Sequence, residues 1–127
     1  MADLGSLGGA RSNARANNER GQVVGSAQTA SGDTHAVLWE DGKTTDLGNF
    51  GGLYSVAYGI NNRGQIVGSF STAEGGLHAF LWQSGQWIVL GAPEHSRSVA
   101  VGINEQGQII GYTFPETGYT RAVMWTK

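Results

Sequence analysis

The chain is written three times over. GQVVGS begins at Gly21, GQIVGS at Gly64 and GQIIGY at Gly107, a step of 43 residues with no insertion or deletion. Trp39, Trp82 and Trp125 keep that step, as do Leu4, Leu47 and Leu90. Eleven positions hold one residue type in all three copies. In the first copy they are Leu4, Gly5, Ser12, Ala14, Asn18, Gly21, Gln22, Gly25, Gly32, Ala36 and Trp39. Glycines, small residues and turn formers in register are what a backbone needs to fold one way repeatedly, each unit burying its apolar face on the next. A catalytic set is rarely tripled, so the stamp reads as architecture.

Each copy reads as four short strands, clearest in the second. SVAYGIN (55–61) alternates small and large residues with the period of a strand. NNRG (61–64) is a turn, and Gln65, like Gln22 and Gln108, ties neighbouring strands. QIVGSFS (65–71) is the next strand and TAEGG a loop. In HAFLW, His78, Phe80 and Trp82 share one face and Ala79 and Leu81 the other. Ser84-Gly85 is a two-residue hairpin turn, matched by Asp41-Gly42, and QWIVLG (86–91) completes the unit. No stretch of helical period intervenes. The prediction is an all-β single domain over 1–127, about twelve strands in repeats of roughly 3–45, 46–88 and 89–127.

The run S-V-A-Y-x-x-N-x-x-G-Q-I-V-G-S followed by H-A-F-L-W-x-x-G resembles a β-propeller blade, similar in strand order to WD-type repeats. With D-L-G-x-x-G-G ahead of it, the pattern more narrowly resembles the HAF-type repeats, described mostly in bacterial extracellular proteins. The resemblance covers essentially the whole chain and implies propeller blades and an extracellular or periplasmic setting. Arg121 in place of the histidine and APEH (92–95) in place of the glycine-glycine loop depart from it.

ADLG, a last-strand motif, opens the chain, and RAVMW, a third-strand motif, closes it. Residues 2–5 are therefore expected to complete the last blade of a partner chain. Propellers have four to eight blades, and three are too few. The leading expectation is a six-bladed propeller formed by a homodimer. The alternatives are a monomeric β-trefoil or β-prism, and a fragment of a longer extracellular repeat array.

Composition excludes several classes. A net charge of −2 with 14% charged residues provides no basic stripe for nucleic acid. No apolar run approaches the roughly 20 residues of a membrane-spanning helix. The first residues lack the charged start and apolar stretch of a signal peptide. With no cysteine, disulfides and thiolate metal sites are impossible.

The recurring tryptophans are expected in the core between blades, and the unmatched Trp87 on the surface. His35 and His78 are expected to hydrogen-bond loop backbone rather than a metal, because Arg121 takes the third place and no ligand cluster completes a set. No cofactor is expected. His95 belongs to a surface loop. The carboxylates form no paired motif, the invariant serines no G-x-S-x-G elbow, and the GQVVG blocks no phosphate loop.

One strand breaks the stamp. SNARANN (12–18) puts Asn13, Arg15 and Asn17 where the other copies are apolar, so it is expected to face water or the partner chain. Arg15 would then line a central channel, and Arg11, Tyr54 and Arg97 share one position at the mouth of the inner strands. These four are the expected ligand-binding residues, suited to a small anionic or carbohydrate ligand. The expected function is a non-enzymatic binding or scaffold module, with a carbohydrate-active hydrolase or lyase as the alternative.

Overall fold

The computed structural model describes residues 1, 3–49, 52–92, 96–115 and 118–126; Ala2, Glu94, His95 and Glu116 lie outside them. Eleven strands and no helix form among the described residues. Strands β1 (Gly8–Asn17), β2 (Val23–Thr29), β3 (Thr34–Glu40) and β4 (Lys43–Gly48) pair antiparallel in chain order. A second meander follows as β5 (Tyr54–Ile60), β6 (Ile66–Ser71), β7 (Leu77–Gln83) and β8 (Gln86–Val89). The third is β9 (Ser96–Ile103), β10 (Ile109–Pro115) and β11 (Arg121–Trp125). A single parallel bridge, Thr34 to Tyr54, joins the first two meanders.

The turn chemistry acts as expected. Asp41-Gly42 and Ser84-Gly85 adopt positive φ at both residues, 51° and 77° in one and 52° and 82° in the other. Positive φ at both central positions is the twist that suits a two-residue hairpin. Asn18, Asn61 and Asn104 each accept, at Oδ1, a hydrogen bond from the backbone N–H of Gln22, Gln65 and Gln108 four residues on. Gln22 and Gln65 tie the start of one strand to the end of the next, donating to Glu40 and Gln83 at 2.7 Å.

Each meander presents two unlike faces, and stacking uses one of each. In the first, Val24, Ala36 and Leu38 share a face that packs on Ile66, Phe70 and Phe80 of the second. From the other side of the second, Val67, Ala79 and Leu81 pack on Ile109 and Trp125 of the third. Polar hooks reinforce both contacts: the Ser55 hydroxyl accepts from Ala36 N at 2.8 Å, and that of Ser98 from Ala79 N at 2.9 Å.

Two expectations need correction. Eleven strands stand where about twelve were expected, because Asp3–Gly5 pair with no strand among the described residues. The six-stranded barrel of a trefoil is not formed either, and no ring closes among the described residues. The strands pair with chain neighbours into sheets that stack face to face.

Candidate functional site

The first strands of the meanders, β1, β5 and β9, carry the same irregularity. In each, the pairing skips one residue: Arg15 between Ala14 and Ala16, Tyr58 between Ala57 and Gly59, and Val101 between Ala100 and Gly102. A β-bulge re-aims the extra side chain. It also explains the invariant glycines opposite. A Cβ on Gly25, Gly68 or Gly111 would run into the carbonyl oxygen of Asn13, Val56 or Val99 respectively. The bulges bring Arg15 and Tyr58 together, with the guanidinium carbon 5.4 Å from the ring centroid, within cation–π reach. Tyr58 was not singled out from the sequence, because a bulge leaves no mark on the alternation except the glycine across from it.

A cavity of about 570 Å³ opens between the second and third meanders. Glu74, His78, Ser96, Arg97, Phe114 and Pro115 line it, so an acid, an imidazole and a guanidinium meet beside an apolar wall. The equivalent histidine one repeat earlier is occupied: His35 Nδ1 lies 2.9 Å from the Asp46 carboxylate. Its partner is thus a side chain, not the loop backbone expected from the sequence. At His78 the place of Asp46 falls to Val89, and the ring instead lies tilted against Phe70 at 5.4 Å between centroids.

Of the four expected ligand residues, Arg97 lines this cavity and Arg15 meets Tyr58. Arg11 and Tyr54 are exposed on β1 and β5, and the structure does not bring the four together into one site. The exposure of Asn13, Arg15 and Asn17 accords with the polar break in the stamp. Trp87 departs from expectation. Its ring sits 4.3 Å from that of Phe80, and its indole N–H donates to Leu47 O at 2.9 Å. The aromatic ring fills the seam between the first two meanders, where the smaller Thr44 of the first copy offered no guide. No group of three His, Asp or Glu side chains able to hold a metal gathers among the described residues.

The two ends of the stack are the other candidate surface. On the third meander, Ile110 and Met124 occupy the positions of Val67 and Leu81 in the second. The latter are 0% and 1% exposed, but Ile110 is 53% and Met124 57% exposed. At the opposite end, Val37 and Trp39 of the first meander hold the positions of Phe80 and Trp82, but they are 0% and 4% exposed, with Leu7 and Val23 of the same chain packed against them. There the Trp39 indole nitrogen is buried without a hydrogen-bond partner.

A ladder crosses the stack and stops at both ends. Asn18 Nδ2 donates to Asn61 O at 2.9 Å, and Asn61 Nδ2 to Asn104 O at 3.0 Å. Beside it, Glu19 N donates to Asn62 Oδ1 and Asn62 N to the Glu105 carboxylate. Among the described residues, Asn104 Nδ2 reaches only Gln108 of its own turn. No family model, curated protein or solved structure matches the chain.

Proposed function

We propose that the protein is a non-enzymatic binding scaffold of HAF-type repeats that works as a pair. Two copies mate end to end and close a six-bladed propeller. The observation that carries this reading is the exposed Ile110–Met124 face, set at the positions whose counterparts are buried twice within the chain. A face already mated twice to one kind of surface is complementary to the third example of it, at Val37 and Trp39, which a second copy offers once Leu7 is displaced from it. Exposed contiguous apolar surface of this kind marks an association site. Repeating the within-chain stacking at both junctions would give a closed twofold assembly of six blades.

In the ring, Arg15 and Tyr58 line the bore, and the cavity beside His78 and Arg97 holds a small anionic or carbohydrate ligand. Arg11 and Tyr54 take the equivalent place at the other junctions. Light scattering across a wide dilution range tests the assembly. The expected mass is twice 13.4 kDa, and Ile110→Asp should return a folded monomer. A wild-type chain that stays monomeric at every concentration removes the reading.

A further inference from the structure

We infer that Asp3–Gly5 are a strand waiting for its sheet: they add to the edge of β11 in a second copy, where Asp3 pairs with the partner subunit's Arg121. This rests on the two-copy ring and specifies the contacts that close it.

The segment already holds the shape of a strand end. One repeat later, Asp46 Oδ1 accepts from Gly48 N at 2.7 Å; Asp3 Oδ1 accepts from Gly5 N at 2.9 Å. Gly48 has φ 87° and Gly5 has φ 86°. Residues 46–48 use that shape while paired to β3, whereas 3–5 use it while paired to no strand among the described residues. The edge that matches is the outer side of β11, which among the described residues pairs with β10 alone.

Charge supplies the second line of argument. The Asp46 carboxylate meets His35 on the neighbouring strand. One repeat before Asp46 stands Asp3, and two repeats after His35 stands Arg121. Both are exposed, and among the described residues Arg121 has no ion-pair or side-chain hydrogen-bond partner. Bringing 3–5 to β11 rebuilds the His35–Asp46 pair as an Asp–Arg pair between copies. A guanidinium beside a carboxylate keeps its charge at any ordinary pH, unlike an imidazole.

The third line is the orphaned indole. Trp125 Nε1 donates to Gly91 O, 34 residues earlier, at 2.6 Å. Counting back 34 residues from Trp39 gives Gly5. A buried donor left without an acceptor costs about 1–3 kcal/mol. Seating Gly5 against the added edge places its carbonyl where Trp39 needs one. The hook from Ala79 N to Ser98 then finds its counterpart between Ala122 N and the partner subunit's Ser12.

Charge reversal and cross-linking test the latch. Asp3→Arg and Arg121→Asp each act at both junctions of the ring, so each should weaken self-association by about tenfold or more. The double variant should recover to within roughly threefold of wild type. Because the chain has no cysteine, register can be checked directly. Asp46 is the cross-strand partner of Val37, so Asp3→Cys combined with Val123→Cys should give a covalent dimer on a denaturing gel after mild oxidation. A dimeric wild type whose single variants associate normally, whose double variant fails to recover, or whose cysteine pair stays uncrosslinked overturns the latch alone. A monomeric wild type overturns the ring and the latch together.

Discussion

At the scale of single residues, the invariant glycines and serines answer to different demands. Gly68 is fixed by the bulge at Tyr58, whose strand brings Val56 O into the space a side chain would fill. Gly68→Ala therefore forces backbone to move, and overpacking of this kind costs about 1–3 kcal/mol. A denaturant titration should show that loss, and an unchanged midpoint would mean the bulge relaxes freely. Ser55 and Ser98 are buried hooks, but their counterpart Ser12 is exposed. Ser55→Ala should lower monomer stability by about 1–3 kcal/mol, since it leaves Ala36 N without an acceptor. Ser12→Ala should leave monomer stability within about 0.5 kcal/mol and weaken only association. Equal destabilisation by the two substitutions would contradict this division of roles.

At the scale of elements, the strand order and the turns were legible because they follow the period. Hairpins at Asp41-Gly42 and Ser84-Gly85, and turns at Asn18, Asn61 and Asn104, stand where the repeat put them. What the period could not display was whatever one copy does alone. Trp87 has Thr44 as its counterpart, so its place against Phe80 depends on the room left between two particular sheets. The exchange of Asp46 for Val89 likewise looks like surface drift until His35 is seen to need the carboxylate and His78 to manage without it. The proposed Asp3–Arg121 pairing follows from the 43-residue step only once one member of the series, His35 with Asp46, shows what the positions do to each other. Of the candidate site, Arg97 and Arg15 were placed by their position on the inner strands. The cavity around Arg97 was not, because it depends on side chains from three separate strands and a loop.

For the whole molecule, the stack is asymmetric from one side to the other. Where the first strands approach, the residues are Ala16, Gly59 and Gly102, and a Cβ on Gly59 would stand 3.1 Å from Gly102 Cα. Towards the last strands the first seam holds Leu47, Trp82 and Trp87, and the second holds Leu90 and Trp125. Each meander is thus a wedge, thin at one edge and thick at the other, and its taper would set the curvature of the proposed ring. Head-to-tail contacts generate a closed ring only if successive rotations sum to a full turn; otherwise they run on as an open helix. Thickening the thin edge with Gly59→Ala should flatten the wedge, so that light scattering finds open-ended species larger than a dimer. A clean dimer from that variant would place the control of curvature elsewhere. In the proposed ring, the missing methyl groups on the inner strands would decide between a particle of fixed size and a fibre.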